Sequence, residues 1–190
     1  CKHSAELGHV EAGLRSFDRN MPEEINRVLS DHAADHMFAP TEKSKELLLE
    51  EGLSESRIVV TGNTIVDAVQ DIEQISEQKS DVLERLNIST DEYILATVHR
   101  TENVDDEGRF RGIISGIQSF AEDASKRIIY PIHPRAAKQI DEFEIEIPET
   151  IRLIEPQDFL DFLKLERNAH IVFTDSGGVQ EETCILGVPC

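Results

Sequence analysis

The chain is 190 residues long, 39% hydrophobic and 30% charged, which is enough apolar material for one large or two small domains with a packed core. Its 38 acidic residues against 19 basic ones give a formal charge of -19, a field that repels nucleic acid and anionic membranes, so neither is an expected partner. No run approaches the ~20 apolar residues of a membrane span, and Cys1, Cys184 and Cys190 are too few for a disulfide framework or zinc knuckle, which points to a reducing, cytoplasmic setting.

Short β-branched runs at 8–11, 36–39, 57–61, 93–99, 127–133, 151–154 and 170–174 read as strands. Helical periods fall between and after them, at 22–33, 41–51, 66–78, 80–86, 106–123, 135–143, 156–167 and 178–186. Repeated β-α units of this spacing predict an α/β protein with parallel sheets and helices on both faces. The charged, aromatic-poor stretch 76–92 separates two such blocks and reads as a hinge, giving an incomplete first domain over 1–75 and a second over 93–190. The chain opens on Cys1 and closes on Cys190 after "LGVP", so it reads as an internal piece of something longer.

In chain order, the first polar cluster follows the first strand. Glu11 and Arg15 leave "GHV", and Pro22, Glu23, Glu24 and Arg27 open the next helix. Carboxylates beside Arg and His suit proton transfer, one group taking a proton and another returning it. Glu23 and Glu24 equally suit a helix dipole, and the sequence leaves both readings open. His32 and His36 have metal-ligand spacing but no third ligand, so no metal is expected.

The second block carries three more clusters, each after an apolar run. His99 and Arg100 follow "YILATV": one side chain is suited to share a proton near neutral pH and the other to hold an anion in fork geometry, with an ordinary polar strand-to-helix loop as the alternative reading. His133 sits between two prolines after "IIY", a restricted backbone that makes a rigid site or a rigid turn. In 156–167, Phe159, Leu160, Leu163 and Leu165 read as buried core; periodicity alone puts Phe162 there as well, with a place facing a ligand base as the alternative. "TDSGGVQEE" then places Ser176, Gly177 and Gly178 at a helix start, whose unpaired N–H groups can receive a phosphate that meets no Cβ. Glu182 lies far enough along that helix to accept from sugar hydroxyls instead. A tight strand-to-helix turn is the alternative reading of the glycines.

Taken together, "HVEAGLRS", "PEEINR", "FAPTE", "VTGNTIVDAV", "TVHRTEN", "YPIHP" and "TDSGGVQEE…LGVP" resemble, in order and spacing, the non-hydrolysing UDP-N-acetylglucosamine 2-epimerases, from about residue 8 to the end. The resemblance implies two Rossmann-like domains of the glycosyltransferase-B type with a UDP-sugar in the cleft. It implies interconversion of UDP-N-acetylglucosamine and UDP-N-acetylmannosamine through a glycal, with no cofactor, in a homodimer. By motif, Glu11, Glu23 and His99 match essential catalytic positions, and Ser176, Gly177 and Gly178 match the phosphate site. Glu182 matches the ribose ligand, Phe162 the uracil-side residue, and Arg15, Arg27, Arg100 and His133 match positions near carboxylates or cleft. The family's upstream basic contact and catalytic aspartate would precede residue 1. The rivals are a glycosyltransferase of the same fold, an epimerase of a related UDP-diacetamido sugar, and a non-catalytic UDP-sugar-binding module.

Overall fold

The structure is a computed structural model that describes residues 5–190; Cys1 lies outside the described residues. The chain divides between Asp67 and Ala68 into two compact units, each with its own all-parallel sheet, as the repeated β-α pattern requires.

In the first unit, strands β1 (Gly8–Val10), β2 (His36–Ala39) and β3 (Ile58–Val60) pair in that order. Helices α1 (Pro22–Ala33) and α2 (Glu42–Glu50) connect them. Helix α1 starts on Pro22, which lacks the N–H that would go unpaired in a first turn. Helix α2 starts on Thr41, whose side chain accepts from the Ser44 amide. Met37, Ala39, Leu48 and Ile58 close a small core with Ala12. Gly13 is required here: its φ is +81°, and a Cβ would lie 2.4 Å from the Ser44 carbonyl oxygen.

Helix α3 (Thr64–Lys79) carries the chain into the second unit, where α4 (Val82–Leu86) precedes β4 (Tyr93–Thr97). Then follow α5 (Thr101–Val104), α6 (Glu107–Ala124), β5 (Arg127–Pro131), α7 (Pro134–Glu142), β6 (Ile151–Ile154), α8 (Phe159–Asn168), β7 (Ile171–Thr174) and α9 (Gly177–Leu186). Alternation along the strands makes both faces apolar. Ile94, Ala96, Ile128 and Tyr130 pack with Phe110, Ile114 and Ile140 on one side; Tyr93, Leu95, Ile129 and Val172 pack with Val82, Leu165 and Val179 on the other. Each fully buried large side chain contributes roughly 1.5–3 kcal/mol.

The strand order is β6-β5-β4-β7. The chain winds outward from β4 through β5 and β6, then returns to the other side of β4. The winding therefore reverses between β4 and β7, and in open α/β sheets ligands bind in the crevice at the carboxyl ends of strands flanking such a reversal.

Three details depart from expectation. Residues 76–92 are built into the second unit: the Ser76 hydroxyl donates to the Leu160 carbonyl at 2.6 Å, Ser80 donates to Asp161, and Val82 is fully buried. Phe159 is 42% exposed, because it is the first residue of α8 and lies off the buried stripe of Leu163 and Leu165. Residues 101–104, which fall between the predicted strand and helix, form α5, whose Val104 amide bonds back to Arg100 and whose Val104 side chain fills the core. Among the described residues, no helix is long and apolar enough to cross a membrane.

Candidate active site

In the first unit, Glu11 and Glu23, the carboxylates that the motifs single out, have no side-chain partner among the described residues. Glu11 follows β1 with φ +63°, a left-handed conformation that costs a non-glycine residue roughly 1–2 kcal/mol and persists only where surroundings impose it. Those surroundings are visible. The Ala12 amide donates to the Phe38 carbonyl at 3.1 Å and the Gly13 amide to Asp31 at 3.2 Å. Asp31 is fully buried and also meets His9 Nδ1 at 2.6 Å and the Arg15 guanidinium at 2.7 Å. Arg15 completes the network with two bonds to Glu51, each 2.7 Å. The Glu51 contacts, against the opposing effect of burial, hold Arg15 more firmly protonated than usual.

Glu23 is exposed in the first turn of α1, while its neighbour Glu24 turns inward. Glu24 accepts from the amides of Ser16 and Phe17 at 2.9 and 3.1 Å, with Arg27 at 3.5 Å. Burial pushes Glu24 up, but those amides and Arg27 bring it below the usual carboxylate range. The "PEE" pair is thus split: one carboxylate folds the 14–17 segment onto the helix and the other faces out. His32 bonds the Val28 carbonyl and His36 meets Glu6, so this pair has separate partners.

In the second unit, the ends of β4, β5 and β7 bring the expected residues together at the reversal. The His99 and His133 rings lie 5.9 Å apart. His133 caps α7, its Nδ1 accepting from the Arg135 amide at 3.1 Å. Asp175, just beyond β7, is a site residue that sequence reasoning misses. Its carboxylate accepts from the amides of His99 and Arg100 and from Asn103 at 2.9–3.2 Å, and lies 3.2 Å from His99 Nδ1. This clamp orients the His99 ring through Nδ1 and leaves Nε2 for a ligand. A carboxylate at the threshold of a phosphate-like site was the available signal, since such a charge is tolerated only when other donors engage it.

Ser176 caps α9 by accepting from the Val179 amide. Beyond it, Gly177 and Gly178 have ordinary φ values and are exposed. A Cβ at Gly177 would meet nothing within 4 Å, and one at Gly178 only the Ser176 hydroxyl at 3.8 Å. These glycines relieve no clash inside the protein, so the tight-turn reading has no support; they leave the helix mouth bare. Arg100 is half-buried beside Glu102, and Phe162 is half-buried against the Leu165 side of the core. Glu182 is largely buried, next to fully buried Glu166 of α8. Burial, and then the neighbouring Glu182, push Glu166 up to about 9; burial also raises Glu182.

Residues 1–190 match the family described as UDP-N-acetylglucosamine 2-epimerase. A UDP-N-acetylglucosamine 2-epimerase of Methanocaldococcus jannaschii is 51% identical over 195 residues, covering 100% of this chain and 53% of the relative. The crystal structure of the Methanocaldococcus jannaschii UDP-GlcNAc 2-epimerase in complex with UDP-GlcNAc and UDP superposes with a TM-score of 0.88 at 52% identity, over 97% of this chain and 52% of that one. A Pseudomonas aeruginosa UDP-2,3-diacetamido-2,3-dideoxy-D-glucuronate 2-epimerase is 34% identical over 97% of this chain and 50% of its own length. The chain spans about half the length of the curated relatives it matches.

Proposed function

Since the chain belongs to the UDP-N-acetylglucosamine 2-epimerase family, we propose that it carries the catalytic carboxylates and the nucleotide-holding half of an enzyme that interconverts UDP-N-acetylglucosamine and UDP-N-acetylmannosamine. Inverting C2 requires removing its proton. The electrons of the C2–H bond form a C1=C2 double bond as the C1–O bond breaks and UDP leaves, giving a glycal. UDP then re-adds at C1 and a proton returns to the other face of C2. Such a reaction needs two proton-handling groups and a firm grip on the departing diphosphate.

Glu11 and Glu23 are the proposed proton-handling groups, supported by their exposure, their freedom from partners among the described residues and the imposed backbone at Glu11. The bare mouth of α9 at Ser176, Gly177 and Gly178 is proposed to take the diphosphate, with His99 Nε2 and Arg100 beside it. Glu182 would accept from the ribose, Phe162 would flank the uracil, and His133 would line the same crevice. Arg15 and Arg27 would act through Asp31 and Glu24, holding the loops that present Glu11 and Glu23. A cytoplasmic homodimer completes the reading. The observation that carries it is the pair of glycines at the sheet's reversal, which no packing demand explains.

The Methanocaldococcus relative's 51% identity against 34% for the diacetamido-glucuronate epimerase favours the simpler sugar. The test is to incubate the full-length protein with UDP-N-acetylglucosamine in heavy water. Deuterium should enter C2, and Glu11→Gln or Glu23→Gln should cut turnover by ~10²–10⁴ with little loss of UDP affinity. Transfer of the sugar to an acceptor with no C2 exchange would favour the glycosyltransferase. UDP binding without turnover would favour a binding module.

A further inference from the structure

Glu166 is an anomaly that the proposed reaction does not use. It is fully buried on α8, and neither carboxylate oxygen has a hydrogen-bond donor among the described residues. A buried carboxylate in that state costs several kcal/mol, so it must find a cation or give up its charge. Among the described residues, no cation pairs with it. On its own helix, Lys164 donates to the Ser80 and Glu77 carbonyls, and Arg167 engages Glu73 of α3 and the Leu186 carbonyl. From β4, the Tyr93 hydroxyl donates to the Leu165 carbonyl. Arg85 of α4 is held by Asp81 and Asp161. The titratable neighbour is Glu182 of α9, itself buried and also acted on by Glu181.

Two ionised carboxylates are acceptors only and cannot satisfy each other; a carboxylic acid and a carboxylate can, through one shared proton. We infer that Glu166 is a neutral acid whose O–H donates to Glu182, and that this bond sets the Glu182 carboxylate for the ribose diol of the nucleotide. Glu166 is then a positioning residue: it touches no ligand, but it fixes the orientation and the single negative charge of the group that does. The inference rests on the assignment of Glu182 to the ribose. It adds a pH limit to that site. When Glu166 ionises, near the value of about 9 to which burial and Glu182 raise it, two charges share one buried space and the diol contact is lost. Stability follows the same sign. The folded chain holds this proton at pH values where the unfolded chain has released it, so stability falls as pH rises from the ordinary carboxylate range through about 9.

Calorimetry of UDP and of 2′,3′-dideoxy-UDP binding to the full-length protein, from about pH 6 to about pH 10, separates the possibilities. Wild type should prefer UDP by roughly tenfold or more near neutrality and lose that preference at the alkaline end. Glu166→Met should lose the preference at every pH while keeping its affinity for the dideoxy nucleotide, a split that general loosening of the fold would not give. Glu166→Gln, whose amide donates without titrating, should keep the preference at all pH values. If Glu166→Met and Glu166→Gln both follow the wild-type profile while Glu182→Gln loses the preference, the role of Glu166 is wrong and the ribose assignment stands. If Glu182→Gln keeps the full preference, the ribose assignment falls and takes this inference with it. Should Glu166→Met fail to fold, Glu166→Gln alone decides, and an alkaline loss like that of wild type overturns the proposal.

Discussion

At the scale of single residues, the first unit is organised around Asp31. One buried carboxylate satisfies His9, the Gly13 amide and Arg15, and through them fixes the left-handed turn at Glu11. Removing one partner of a buried charge pair costs about 3–5 kcal/mol, because the other charge stays buried. Asp31→Ala should fall near the lower end of that range, since Glu51 still grips Arg15. Urea unfolding would read it as a lower midpoint at unchanged slope. An unshifted midpoint would mean that the network contributes nothing to holding the loop. None of this was legible in the sequence. Asp31 lies 16 positions from Arg15, and Arg15 lies 36 from Glu51, so nothing in "VLSDH" marks an anchor. Glu11 and Glu23 stood out because motif and strand-end position flagged them, while Glu24 looked like their equal until the fold turned it inward.

At the scale of elements, the sequence was readable because most strands are apolar runs ending near a polar residue, and several helices begin on a recognisable cap, Thr41, Asp106, Asp158 and Ser176 among them. Among the described residues, the strands fall where the runs predict, with ends trimmed: β4 stops at Thr97 and β5 at Pro131, so His99 and His133 sit just beyond the sheet. The Asp175 clamp escaped notice because it joins residues more than 70 positions apart. Asp175→Asn keeps the side chain's shape but removes the charge that orients His99, and should lower turnover by about 10–100-fold with a smaller effect on UDP affinity. Steady-state kinetics beside UDP calorimetry would check this; equal losses in both would make Asp175 merely structural. The mouth of α9 gives a cleaner contrast. At Gly177 a methyl group meets nothing in the protein, and Ala is better than Gly in a helix by roughly 0.5–1 kcal/mol. Gly177→Ala should therefore melt no lower than wild type, yet bind UDP at least about tenfold more weakly, because the methyl enters the space proposed for the diphosphate. Unchanged UDP affinity would remove the diphosphate from that helix.

At the scale of the whole chain, the two-block organisation was legible from the repeated β-α pattern, but the boundary was not. Residues 76–92 looked like a linker because their solvent face is heavily charged; the anchors that seat them, Ser76, Ser80, Val82 and the partly buried Leu83, Leu86 and Ile88, are scattered among charged residues. Composition does fix one global property, a formal charge of -19 with twice as many acids as bases. Raising NaCl from about 0.01 M to about 1 M shortens the screening length from ~30 to ~3 Å and should act on two opposed terms. Exposed ion pairs such as Lys43–Glu46 and Lys138–Glu142 weaken, each worth at most about 1 kcal/mol. The long-range repulsion among the surplus acids also weakens, and it extends over the whole surface. Buried Asp31–Arg15 is little affected. Because the surplus is so large, repulsion should dominate, and the melting temperature should climb steadily with NaCl. A fall would show that the scattered surface pairs outweigh the net charge.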